Sequence, residues 1–321
     1  MSAVHHELRI TGPDGFREGL PSGLSGALLN AFGTSVEGAV RMAFVGRSRA
    51  PGRRRSWLNE AADVRLQDID RGDEAVLHFT ARPFGDIEDL AKEMYSQVEM
   101  WATRPDPTWS AVDTLAAVID DVAAERQDSA RFDVSLLRHI QRFGRVFGGP
   151  VNDVRVEAKH RVESLAPGFT SLNQPVLEHA RALSAATPRP REVRIVGVLD
   201  MIRQSTQSFA LRLDDGEEVR GVMADSDLGQ ARALFGKRVT VQGQAVFRPS
   251  GRLLRIDARA LVESTDESAF WSKSPNAAPS GRPRARQRLP QTATTGVNAF
   301  FGRWPGDQSD DALLGLLRGE G

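Results

Sequence analysis

The sequence predicts an α+β domain followed by a small all-β barrel, with a polar linker and a C-terminal docking peptide beyond them. Three observations carry this reading. Segments of helical apolar period and segments that alternate apolar with polar are mixed over residues 1–187. Five short alternating segments, with one helical segment between the third and fourth, fill 189–263. From 264 to 298 the chain is rich in Ser, Pro, Arg, Gln and Thr, and large apolar side chains return at 299–321.

At 321 residues there is room for two domains, and a 40% hydrophobic content supports packed cores. In the first domain, Val4–Ile10 reads as a strand. Leu20–Val45 carries Leu24, Leu28, Ala31, Val36, Val40 and Phe44 at helical spacing, with a break expected at Gly33. Val64–Ile69 and Ala75–Ala81 alternate with period two and are joined by Asp70-Arg71-Gly72-Asp73, a hairpin. A helix capped by Asp86 is expected to run to Trp101. Ser110–Arg126 and Val134–Phe147 are amphipathic helices, Val151–Ala158 a strand, and Leu172–Ala185 a helix that hands over at Pro188 and Pro190.

The second domain reads as strands Arg191–Ile202, Ser208–Leu213 and Glu218–Met223, helix Asp227–Phe235 with Asp227 as N-cap, then strands Arg238–Phe247 and Leu253–Val262. Gly197, Gly221 and Gly243 fit the bends of a small barrel. This β-β-β-α-β-β order resembles an OB-type five-stranded barrel, whose helix sits between strands three and four; an SH3-like barrel is the rival. Residues 264–298 cannot bury a core and are expected to form a disordered linker.

Lys+Arg and Asp+Glu both number 42, so the net charge is zero and only a local patch can attract nucleic acid. There is no Cys, which excludes disulfides, thiolate metal sites and Cys nucleophiles. The N-terminus lacks a basic segment followed by an apolar run, so no signal peptide is expected. No apolar run reaches the length of a membrane span, and a cytoplasmic location is expected.

Catalytic motifs are missing. The histidines at 5, 6, 78, 139, 160 and 179 show no i, i+4 pair of the kind that holds zinc, so no metal site is expected. Gly23-Leu24-Ser25-Gly26 is a loose echo of a nucleophile elbow in the wrong context. Phosphate-binding loops are absent. The carboxylate pairs Asp120-Asp121 and Asp214-Asp215 read as a helix polar face and a hairpin turn. The chain therefore reads as non-enzymatic and without a cofactor.

Nucleic acid is the alternative. Residues 189–263 hold thirteen Arg and Lys against ten Asp and Glu. Arg203, Arg248, Arg252 and Arg255 are candidates to track phosphates. Single-strand binders of this kind stack bases on aromatics, and here only Phe209, Phe235 and Phe247 are available, with Phe235 expected in the core. A second basic patch is the loop of Arg47, Arg49, Arg53, Arg54 and Arg55, beside Trp57.

The C-terminal peptide points to a protein partner. Phe300, Phe301 and Trp304 are anchors for a docking surface, and Arg303 can make a bidentate charge contact. Asp307 and Ser309 can cap a helix that carries Leu313, Leu314 and Leu317, with Asp310 and Asp311 in its first turn. The stretch FFGRWPGDQSDDALLGLL resembles the F-x-G-x-W-P-G-[DE]-x-[ST]-[DE]-[DE] tail of small bacterial partners of PIN-domain toxin nucleases. Phe301, Gly302, Trp304, Pro305, Gly306, Asp307, Ser309, Asp310 and Asp311 fit that pattern, while Gln308 stands where an acid is usual. The resemblance implies an antitoxin-like tail that lies across a nuclease, with Arg303 facing the acidic metal-binding site. It covers only the last 22 or so residues, and the large N-terminal part departs from the compact DNA-binding domain of a typical antitoxin.

Overall fold

Strands β1 (Val4–Thr11), β2 (Val64–Asp70), β3 (Glu74–Ala81), β4 (Asp153–Ala158) and β5 (Gly168–Asn173) form one antiparallel sheet in the order β2-β3-β1-β4-β5. The computed structural model describes residues 3–49, 55–96, 103–147, 149–162, 167–223, 228–264 and 271–278. The alternation of the sequence sets the faces. His6, Leu8 and Ile10 of β1, Leu77 and Phe79 of β3, and Val154 and Val156 of β4 are buried. The opposite face carries charges: Glu74 pairs with Arg155 and lies 3.9 Å from Arg9, which also covers the Phe169 ring.

The helices are α1 (Ser22–Val45), α2 (Ser56–Ala61), α3 (Glu88–Leu90), α4 (Ala111–Ala123), α5 (Val134–Gln141) and α6 (Gln174–Ala186). Their apolar stripes share one core with the buried face of the sheet, from Leu8 and Ile10 to Val36, Leu115, Ile119, Leu137 and Leu177. Three starts are set by short polar side chains. Ser110 and Asp113 form a reciprocal capping box on α4. Asp133 accepts from the Leu136 amide at 3.0 Å, and Asn173 from the Val176 amide at 3.2 Å.

Several expectations need correction. Helix α1 runs through Gly33 without a break, because Gly33 faces open space while Phe32, Val36, Ala39 and Val40 bury the other side. Asp86 does not cap a long helix. It ends a 3-10 turn, Phe84–Asp86, and is followed by α3 and a π-helical turn, Ala91–Tyr95; the stretch 97–102 lies outside the described residues. The amphipathic stretch after Val134 is α-helical only to Gln141 and continues as a 3-10 turn. Strand β5 precedes α6 where a helix from Leu172 was expected, because Asn173 caps α6 and leaves Leu172 to pair with Val154. Asp121 is buried, not on a polar face: it accepts from Ser129 Oγ at 2.6 Å and pairs with Arg131 at 3.0 Å.

The second sheet is made of β6 (Arg191–Arg203), β7 (Ser208–Arg212), β8 (Glu218–Val222), β9 (Arg238–Phe247) and β10 (Leu253–Glu263), with α7 (Leu228–Ala233) between β8 and β9. Strand β6 pairs with β7 and β9, β7 with β8, and β10 with β9 and, in parallel, with β8, so the ring closes as a barrel. Ile195, Leu199, Phe209, Leu211, Val241 and Ile256 fill it. Gly221 and Gly243 are required by close approach, since a Cβ there would stand 2.2 Å from Phe209 Cζ and 2.3 Å from the Asp257 carbonyl oxygen. Phe235 is 58% exposed and not in the core: α7 ends at Ala233, and Gly236 at φ +75° turns the chain before the helical period reaches Phe235. The N-cap expected at Asp227 lies outside the described residues.

The barrel is fastened to the first domain. Leu254 is buried in the N-terminal core, and Arg255 of β10 pairs with Asp133 at 3.3 Å. The Ser250 hydroxyl donates to Asp128 at 2.6 Å. Residues 271–278, inside the expected linker, are attached along the barrel. The Asp214 amide donates to Ser272 Oγ at 3.0 Å, Arg191 to the Asn276 carbonyl at 3.0 Å, and the Ala277 amide to the Gly251 carbonyl at 2.9 Å.

Candidate functional site

The tail residues Phe300, Phe301, Arg303, Trp304, Asp307, Leu313, Leu314 and Leu317 lie outside the described residues, as do Arg53 and Arg54. The other basic residues named above are placed, and the structure brings the two basic patches together. The loop after α1 enters against β10, where Arg255 Nη1 donates to the Gly46 carbonyl at 3.1 Å. It returns against the β6–β7 turn, where Arg55 donates to the Gln204 carbonyl at 3.1 Å. Arg49 is exposed. Trp57 is buried and donates to Glu93 at 2.9 Å, so its ring is closed to a stacking base.

Two of the four barrel arginines are spent inside the molecule. Arg255 contacts Asp133, Asp257 and Gly46. Arg203 is buried and reaches Met94 Sδ at 3.7 Å. Asp133 is the hub of this junction. It accepts from the Ser48 hydroxyl at 2.5 Å, the Ser48 amide at 3.2 Å and the Leu136 amide at 3.0 Å. Burial opposes its charge, yet Arg255 and these donors outweigh burial and hold its carboxyl below the usual range.

Arg248 and Arg252 lie instead on an open cleft of about 680 Å³ between β8, the β9–β10 turn and the first domain. Its wall carries both signs of charge, Arg220, Arg248 and Arg252 with Glu217 and Glu218, beside Ser250. Arg248 Nη1 donates to the Asp128 carbonyl at 2.8 Å, and its Nε is buried without a partner among the described residues. Desolvation first, then the neighbouring Arg252 and Arg220, lower the pKa of Arg248 against the pull of Asp128. Arg252 has a 68% exposed side chain 3.9 Å from Asp128.

One nucleophile–base pair also forms. Ser110 Oγ stands 2.9 Å from His6 Nε2 and 2.9 Å from Asp113 Oδ2. The wiring is not catalytic. The His6 Nδ1 donates to the Glu157 carbonyl rather than to a carboxylate, and Asp113 accepts from the Lys159 and His160 amides. Ser110 and Asp113 are fully buried and His6 nearly so, out of a substrate's reach. The group ties β1, α4 and the end of β4 together. Burial is the main cause that lowers the His6 pKa.

Sequence reasoning placed Arg248 and Arg252 but missed Arg220, Asp128 and Asp133, because nothing local distinguishes a surface acid from one that a second domain will cover. Among the described residues no cluster of His, Asp and Glu could hold a metal ion, and no helix is long and apolar enough to cross a membrane. No protein-family model, curated protein or solved structure matches the chain.

Proposed function

We propose that the chain is a non-enzymatic interaction protein that acts in the cytoplasm, antitoxin-like, whose C-terminal peptide binds and neutralises a protein partner, a PIN-type ribonuclease by the resemblance of that peptide. The single observation that carries this reading is the peptide itself: Phe300, Phe301 and Trp304 beside Arg303 and the turn Pro305-Gly306, in a chain whose preceding segment is polar. The attachment of residues 271–278 to the barrel supports it, because it gives the departing chain a fixed origin. Arg303 is the residue that faces the nuclease carboxylates.

The test is a capture experiment from the native host with the full chain and with a chain ending at Ala278, which keeps the barrel contacts. Capture of a small acidic-site nuclease by the full chain alone is the expected result. Capture of the same nucleic acid by both forms, with no protein, overturns it. With the partner in hand, Trp304→Ala should weaken binding by about 2 kcal/mol or more, and an unchanged Kd removes the anchor role.

A second reading is favoured by the meeting of the two basic patches. The β6-β7-β8-α7-β9-β10 order, with β8 parallel to β10, supports reading the barrel as OB-type, a class that binds nucleic acid on its second and third strands and nearby loops. Arg49 and Arg55 lie on the loop whose two ends meet this barrel. In this reading the chain binds nucleic acid through the barrel and the loop 47–55, and its affinity falls steeply with salt.

A further inference from the structure

The two outer strands of the first sheet treat their free edges in opposite ways. β2 carries the devices that keep an edge from pairing. Its register with β3 shifts between Leu66 and Asp68, and Arg65, Asp68 and Asp70 charge it. The Asp68 carboxylate also accepts from the Ile69 amide at 2.8 Å. β5, at the other end of the sheet, has none of these. It reads GFTSLN, with no charge and no proline, and runs beside β4 in unbroken register from Gly168 to Asn173. Among the described residues no strand pairs with its outer side. Thr170 and Leu172 are buried, while Phe169 stays 37% exposed and Val162, in the connection that enters the strand, 45% exposed. Such an edge is a template for a further strand.

We propose that β5 pairs antiparallel with β5 of a second copy of this chain, joining the two sheets into one across a two-fold axis at Thr170. Charge selects this occupant. The edge gives a charged strand no opposite charge to meet, whereas a second copy brings an equally neutral strand. The whole chain has zero net charge, so two copies approach without long-range repulsion. The pleat permits the register. About Thr170, Phe169 of each copy stands opposite Ser171 of the other, and Leu172 opposite Gly168, each pair on one face of the joined sheet. A large side chain thus meets a small one at each of these positions. Helix α6, which follows β5, exposes Glu178 and Arg181 beside Ala182 and Ala185, so its open side carries both signs of charge and does not repel its own copy. The two-fold makes the contact isologous, and pairing closes at the dimer. The proposal does not depend on the tail: loss of partner capture leaves it standing.

Sedimentation equilibrium of the full chain from micromolar to millimolar concentration measures the association. A monomer–dimer equilibrium is expected, weakened at least tenfold in Ser171→Lys and in Phe169→Lys, since a lysine on an edge strand blocks pairing. Ile69→Lys on β2 should leave it unchanged. Phe169→Lys decides the matter if Ser171→Lys does not fold, because the Phe169 ring is partly exposed and lies outside both cores. Amide hydrogen exchange gives a second readout: protection at Phe169 and Ser171 should rise with concentration. A chain that stays monomeric throughout overturns the proposal, as does protection there that is independent of concentration. So does a dimer that the β5 variants leave intact, which would place the contact elsewhere, the tail included, or one that Ile69→Lys weakens as much. A monomer whose β5 accepts a strand from another protein also overturns it.

Discussion

Replacing Asp133 tests how the two domains are joined. Its carboxylate caps α5, holds the entry of the arginine loop through Ser48, and neutralises Arg255 of the barrel. Asp133→Ala removes a cap worth about 1 kcal/mol. It also leaves Arg255, only 8% exposed, without one of its carboxylates; breaking a buried pair from one side costs about 3–5 kcal/mol. Asp257 remains 2.9 Å from Arg255 and offsets part of this, so the expected loss is about 3 kcal/mol. Arg255→Met should cost less, since Asp133 keeps the Ser48 and Leu136 donors. The double variant should be milder than the sum by about 1–3 kcal/mol. Urea unfolding of the four forms measures this coupling. Additivity within about 0.5 kcal/mol would refute the reasoning, because independent sites behave in that way. The pH dependence adds a second reading. The folded pKa of Asp133 is depressed, so its stabilisation is complete above the ordinary carboxylate pKa and is lost as pH falls through the folded value. Asp133→Ala should flatten that acid limb below about pH 4.

His6, whose pKa burial lowers, favours the neutral form in the folded state. Its stabilising effect is present above the unfolded pKa of about 6.5 and lost as pH falls through the folded value, and His6→Gln should remove part of that loss in melts from pH 7 to 5. His139, also lowered mainly by burial, supplies a second share that persists in this variant. Gly243→Ala should destabilise the barrel by about 1–3 kcal/mol in denaturant melts, because its Cβ would meet the Asp257 carbonyl at 2.3 Å; an unchanged midpoint would show that the two strands can part at no cost. A chain ending at Ala278 should melt as the full chain does. One ending at Glu263 loses the Ser272, Asn276 and Ala277 contacts and should be about 1–3 kcal/mol less stable, and equal melting of the two would mean that these contacts contribute nothing.

Periodicity and punctuation in the chain determined a good deal. The alternation over Ala75–Ala81 and Arg238–Phe247 set strands and their buried faces, because a strand that covers a core on one side must alternate. The apolar stripe from Val112 to Val122 set α4 for the same reason at helical period. The peptide at 300–321 is legible only as sequence, through its aromatics and its Pro-Gly turn. Tertiary structure decided what local patterns cannot carry. Gly33 reads as a break, but the core packed against its helix overrides the propensity of one residue. Arg248, Arg252 and Arg255 look alike in the chain, three basic residues within one hairpin. Only the docking of that hairpin on residues 127–133 buries Arg255 against Asp133 and leaves Arg248 and Arg252 on a cleft. The difference is desolvation: whether a charge is covered, and by which partner, depends on residues more than a hundred positions away.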